Sequence, residues 1–328
     1  MSTGREPTIG NTVLTAREAF GLGITCGFAL GEFPPTRSAS CVDVSVNFAI
    51  RGQPETAFSG PADPPAARIA ATGDGCYYRI ERGRSGDHLI TYSDRATFHL
   101  SHCGRKVQCA PRDPGDPAWR RFLLDTVLGT ASLIHGFEAL HAGAWLSPQG
   151  LIAIVAGTGS GKSTTVAEMV RRGHPLFCDD IFALSQRDGR VLGHPGPPLM
   201  NLPPSLPDGT PAGRLGRVVA NIDGESWTLI DRPVVKASPV TGVVFLERRP
   251  CAAHVEVERL PSSAAALLAN SLGSGSSATR LASRFGLFSD LARQAHLLRV
   301  KAPFTLPPSE LADMVEAGFN LGVTKEAS

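Results

Sequence analysis

Apolar and polar residues alternate with period two over Cys41 to Phe48, and less cleanly over His88 to Tyr92, the pattern of half-buried strands. Glycine and proline punctuate these runs, notably at Gly60 to Pro65. Residues 1–115 are therefore expected to form a β-rich N-terminal module, whose role the pattern does not disclose. The period changes after the loop Asp113-Pro114-Gly115-Asp116-Pro117. Trp119, Phe122, Leu123, Leu124, Val127, Leu128, Ala131 and Ile134 recur at helical spacing and predict a helix from Pro117 to about His135, capped by Asp116, with a wide core-facing stripe. That change marks a second unit, 116–328.

Two short apolar runs follow, His141 to Leu146 and Leu151 to Ala156, joined by Ser147-Pro148-Gln149-Gly150, a sequence suited to a tight turn. They predict a hairpin. If Leu146 faces Leu151, counting back along both strands sets His141 opposite Ala156. Leu151 to Val155 is apolar throughout, as in a strand buried on both faces. Ser163 to Arg172 then reads as a helix ending at Gly173, and Leu176 to Cys178 as a short strand ending in Asp179-Asp180. Further on, Pro195 to Pro211 is rich in proline and glycine and is expected to be a long surface connection or lid. Thr241 to Glu247 reads as a buried strand and His254 to Leu260 as an edge strand. Ser262 to Leu272, Ser283 to Leu291 and Ser309 to Phe319 read as helices, with a flexible patch at Gly273 to Ser277.

Composition narrows the class. The chain has 328 residues with 42% hydrophobic and 19% charged content, enough to fill a sizeable core, and a formal net charge of +2. No whole-protein field favours nucleic acid or an anionic membrane, and no run approaches the ~18 apolar residues of a membrane span. Met1 to Gly10 lacks the features of a secretory signal. Seven cysteines without a C-x-x-C pair fit reduced thiols better than a disulfide framework, and His102, Cys103 and Cys109 lack the second ligand pair of a zinc site. The expectation is a cytoplasmic protein with no nucleic-acid or membrane partner, compatible with a homo-oligomer.

The segment Ala156-Gly157-Thr158-Gly159-Ser160-Gly161-Lys162-Ser163-Thr164, between a buried strand and a helix, carries the chemistry. Gly157, Gly159 and Gly161 permit backbone conformations that turn amides toward an anion. Those amides, with Thr158, Ser160, Thr164 and the positive end of the helix, form a phosphate cradle for ATP. Lys162 supplies a charge that can follow a phosphoryl group, and Ser163 a hydroxyl able to ligate Mg²⁺. If the sheet is built of parallel strand–helix–strand units, Asp179-Asp180 lies at the end of the neighbouring strand, on the edge of the loop. One carboxylate can then hold Mg²⁺ and the other accept a proton. His141, beside the loop by register, can stabilise phosphate charge or tune the aspartates.

Leu140-His141-Ala142-Gly143, the glycine loop, Arg172-Gly173-His174 and Asp179-Asp180 together resemble the C-terminal catalytic domain of bacterial HPr kinase/phosphorylase, and more specifically its divergent relatives, over about residues 119–186. The resemblance implies an α/β fold, a P-loop kinase domain of the HPr kinase/phosphoenolpyruvate carboxykinase type, that phosphorylates a hydroxyl such as serine. It implies Asp180 as proton acceptor, His141 as catalytic histidine, Ser163 as metal ligand and Asp179 as its assistant. The loop helix begins Lys-Ser-Thr where that family has Lys-Ser-Glu, and neither its Ile-Arg-Gly nor its Pro-Gly-Arg-Asn segment is recognisable. The leading expectation is a kinase using ATP and Mg²⁺ on a protein, peptide or small-molecule hydroxyl, with Arg232, Arg248 or Arg249 able to close on the phosphates. Two alternatives stay open: an ATPase coupling hydrolysis to motion, in which Val243 to Glu247 imitates a Walker B strand, and a nucleotide-binding regulator without turnover.

Overall fold

A computed structural model describes residues 16–28, 42–62, 67–71, 77–250, 254–273 and 278–323. The expectations for Met1 to Gly10, for Cys41, Cys76 and Cys251, for part of Gly60 to Pro65 and for most of the patch after Gly273 lie outside the described residues.

The N-terminal sheet comprises β1 (Ala16–Ala19), β2 (Leu22–Cys26), β3 (Val42–Phe48), β4 (Ala67–Ala71), β5 (Tyr77–Arg82), β6 (His88–Tyr92), β7 (Ala96–Leu100) and β8 (Lys106–Pro111), with a short helix α1 (Gln53–Ala57) after β3. Its order is β1-β2-β3-β8-β7-β6-β5-β4. The expected alternation is realised in β3, where Val44 and Val46 are buried. This sheet does not keep its core to itself. Val46, Ile90 and Phe98 share one apolar cluster with Trp119, Phe122 and Val127 from the following helix, and Tyr92 stacks on Phe122 at 4.2 Å.

That helix runs from α2 (Ala118–Phe122) to α3 (Leu128–Ile134). Asp116 caps it, its carboxylate accepting from the Ala118 N–H at 2.9 Å. The 3.6-residue stripe predicts one regular helix, but Leu123–Val127 forms a π-helical turn between the two segments. Such turns insert a residue, rotate the next side chains around the axis, and recur at functional sites.

The second, mixed sheet contains β9 (Glu138–Ser147), β10 (Gly150–Ala156), β11 (Leu176–Cys178), β12 (Ile181–Arg187) and β13 (Arg190–His194). Farther along the chain it adds β17 (Ser238–Arg248), β18 (Glu256–Arg259) and β19 (His296–Ala302). β10 lies between β9, antiparallel, and β17, parallel. Side chains alternate between two cores: Ile152, Ile154, Val244 and Leu298 pack under α4 (Lys162–Arg171) and α7 (Pro308–Val323), while Ala153, Val155, Val243 and Leu297 pack under α5 (Ala264–Ala269) and α6 (Ala278–Gln294). The hairpin has the expected register, Leu146 opposite Leu151 and on to Ala142 opposite Val155, so His141 is the next residue in line beside Ala156.

Two expectations are corrected. The strand bearing the aspartates is not the neighbour of β10, because β9 lies between β10 and β11. The chain is therefore not a run of parallel strand–helix–strand units here. The segment Pro195 to Pro211 is not a surface lid throughout. It contains β14 (Leu199–Leu202), the edge of a three-stranded sheet with β15 (Gly216–Ile222) and β16 (Glu225–Ile230), and Met200 and Leu202 are fully buried. Its prolines flank the strand instead of interrupting it.

Candidate active site

The glycine loop connects β10 to α4 at the C-terminal end of β10. Gly159 and Gly161 have φ of 74° and 85°, in the left-handed region that disfavours a side chain. Gly161 is the N-cap of α4, so the turn aims the first free amides of the helix into the loop. Gly157, Thr158 and Gly159 are exposed, while Lys162 is buried behind them.

Lys162 reaches out of that position to two groups. Its Nζ donates to Asp180 Oδ1 at 3.2 Å and faces His141 Nε2 at 3.4 Å. His141 Nδ1 lies 3.2 Å from the main-chain carbonyl oxygen of Asp180. A carbonyl only accepts, so Nδ1 carries the proton and Nε2 presents its lone pair to the ammonium. The intervening strand explains this grouping. β9 sits between loop and aspartates, and its residue 141 fills the gap, pairing with Ile181 across the other edge.

Asp179 and Asp180 occupy the bend between β11 and β12, and their environments separate them. Burial raises the Asp179 carboxyl, the charge of Asp180 raises it further, and Lys162, the Asn201 N–H and Ser163 oppose this, leaving it at about 7. Burial also pushes Asp180 upward, but the Lys162 ammonium, with His141 and Asn201 in the same direction, outweighs it and holds the carboxyl below its ordinary value. Adjacent carboxyls pushed apart in this way are suited to different roles.

Sequence reasoning missed two residues. Asn201 of β14 donates its N–H to Asp179 Oδ2 at 3.0 Å, and its side-chain amide points at Asp180 Oδ2 at 3.5 Å. Asp125, on the π-helical turn, joins the same cluster. Burial, then the charge of Asp180 and that of Asp179, raises its carboxyl well above the ordinary value, against the opposing pull of Arg121 and Asn201. Asp125 falls at a polar position of an amphipathic helix and Asn201 in a proline-rich stretch, so neither stands out along the chain. Two buried oxygens of this cluster, Asp179 Oδ1 and Asn201 Oδ1, have no hydrogen-bond partner among the described residues.

The site thus brings together Lys162, His141, Asp179, Asp180 and, through its effect on Asp179, Ser163. Among the described residues no group of three His, Cys, Asp or Glu side chains forms a metal cluster. A divalent ion here would draw on Asp179 and Ser163 and take its other ligands from phosphate and water, as Mg²⁺ arriving with a nucleotide does. The orphaned Asp179 Oδ1 fits that use. No helix among the described residues is long and apolar enough to cross a membrane.

No protein-family model matches the chain, and no curated protein matches it. Among solved structures, the Hpr(Ser) kinase/phosphatase from Coxiella burnetii aligns with 58% of this chain and 99% of its own, at 14% identity and a TM-score of 0.31. With so loose a superposition, the functional reading rests on the site's own geometry.

Proposed function

We propose that the chain is an ATP-dependent kinase of the HPr-kinase-like P-loop type, moving the γ-phosphoryl group to a hydroxyl of a protein, a peptide or a small alcohol. One observation carries this reading: the ammonium of the phosphate-loop lysine lies within 3.2 Å of a carboxylate that it keeps ionised, with His141 at 3.4 Å. A structural ion pair needs no glycine loop beside it, whereas a phosphoryl-transfer site combines an anion-binding loop with positioned charges.

The proposed roles follow from the contacts. Loop amides from Gly157 to Thr164 bind the β- and γ-phosphates. Lys162 turns from Asp180 to the γ-phosphoryl oxygens, and the freed Asp180 carboxylate accepts the proton of the incoming hydroxyl. As that oxygen bonds to phosphorus, the bridge to the β-phosphate breaks and ADP leaves. His141 holds Lys162 and the Asp180 main chain in place. Asp179 and Ser163 would hold Mg²⁺, which would offset phosphate charge there.

The ATPase reading has one feature in its favour. β17 runs parallel beside β10, so Glu247, the penultimate residue of β17, lies next to the loop. Its carboxylate is engaged by Arg249 at 3.2 Å and by Arg299 at 2.9 Å, which does not suit a group that must orient water. The deciding assay follows γ-labelled ATP with candidate hydroxyl acceptors. Label appearing on an acceptor, and lost in Lys162→Ala and Asp180→Asn, supports the kinase. Free phosphate alone supports the ATPase, and binding without turnover supports the regulator.

A further inference from the structure

Of the three arginines considered as phosphate partners, Arg232 and Arg249 are exposed, and Arg249 is paired with Glu247. Arg248 is different. It ends β17, whose parallel pairing with β10 carries it to the glycine loop. Its Nε donates to the Ser160 carbonyl at 3.1 Å and its Nη1 to the Pro303 carbonyl at 2.7 Å. Nη2 has no protein partner among the described residues, and a Cβ built on Gly161 would lie 3.4 Å from it.

The guanidinium is partly buried, and no carboxylate among the described residues pairs with it. Burial alone lowers its pKa, with no anion acting in the other direction. A cation withdrawn from water without a counter-charge is costly, and a guanidinium with two of five donors fixed on carbonyls still presents a directed donor. The anion missing from this arrangement belongs in the loop. Lys162 and Asp180 lie on the β9 side of β10, and Arg248 lies on the β17 side.

We propose that Arg248 is an anion-binding residue that grips the diphosphate portion of the nucleotide, on the side of the loop opposite Asp180. This rests on the nucleotide-binding part of the function proposed above and not on transfer. Two carbonyls fix the guanidinium before ligand arrives, so little side-chain freedom is lost on binding. Because the transferring phosphate lies toward Asp180, Arg248 serves MgADP and MgATP alike.

Calorimetric titration of the full chain with MgADP and MgATP tests this. Arg248→Ala and Arg248→Gln each weaken both nucleotides by a similar factor, about ten- to a hundredfold for one charge-assisted contact. Arg248→Lys loses less. Arg249→Ala, which removes the same charge one residue away, leaves both affinities unchanged. Unliganded melting temperatures verify that the variants fold. Arg248 variants that bind both nucleotides as wild type does would overturn the proposal. So would loss of MgATP affinity alone, which places the residue at the γ-phosphate, or a wild-type chain that binds neither nucleotide. A chain that binds both but labels no acceptor overturns the kinase reading and leaves Arg248's role standing.

Discussion

On the glycine-loop side of the site, a single unbroken segment, Gly157 to Thr164, presents main-chain amides and one lysine. On the opposite side, Asp125, His141, Asp179, Asp180 and Asn201 come from a π-helical turn, a long strand, a bend between strands and the edge of a small sheet. The first wall is held by backbone geometry, which substitutions away from Gly159 and Gly161 leave in place. The second is held by side chains leaning on one another, so that a change in one is felt by the rest. Grip on a nucleotide and chemistry on its γ-phosphate should therefore separate experimentally.

The sharpest break between the walls is Asp180→Asn. It keeps the shape of the site and removes the proposed proton acceptor, so kcat is expected to fall by about 10²- to 10⁴-fold in a labelled-ATP transfer assay while ADP affinity holds. Gly143→Ala acts between the walls. A Cβ there would meet Val166 Cγ2 at 2.7 Å and the Asp179 carbonyl at 3.1 Å, forcing the loop helix and the aspartate bend apart. Denaturant unfolding should show a loss of about 1–3 kcal/mol. Asn201→Ala removes the side-chain contacts to Asp180 and Asp125 and spares Asp179, which is held by the main-chain N–H. The expected change is a fall in kcat of roughly tenfold, one hydrogen bond to a charged group, with KM for ATP unmoved.

The pH response reports on Asp179, with Asp125 acting in the same direction. Its folded pKa of about 7 lies above the value near 4 of a free carboxyl, so the folded state holds this proton more tightly. Its contribution to stability is complete below about pH 4 and is lost as pH rises through 7. The melting temperature of nucleotide-free protein should fall over that window, less steeply in Asp179→Asn. The smallest effect is expected at Arg95→Ala, which cuts the N-terminal sheet's ion pair with Asp223 in the turn between β15 and β16. This pair, with side chains 23% and 18% exposed, still reaches solvent and contributes about 1 kcal/mol, measurable by thermal unfolding.

The two walls also differ in how far they can be read along the chain. A phosphate loop is contiguous, so its residue types and spacing are visible directly, as is the hairpin register that sets His141 beside it. The aspartate pair is visible too, but its strand neighbour is not, because the order of strands is decided by long-range pairing. The lid expected over Pro195 to Pro211 conceals β14 for a similar reason: proline marks loops more strongly than a short strand marks itself. One signal was present and unused. Asp223-Gly224, both at positive φ, joins β15 to β16 with the sequence that two-residue hairpin turns favour. Reading it would have located the small sheet to which Asn201 belongs. Asp125 has no comparable marker, since a π-helical turn leaves the apolar stripe almost intact.

The most direct measurement is equilibrium binding of MgATP to three forms of the chain, with γ-phosphoryl transfer followed in the same samples. The account predicts that wild type binds and transfers, Asp180→Asn binds as tightly but does not transfer, and Lys162→Ala loses both. Asp180→Asn losing its nucleotide, or Lys162→Ala retaining both binding and transfer, would contradict it.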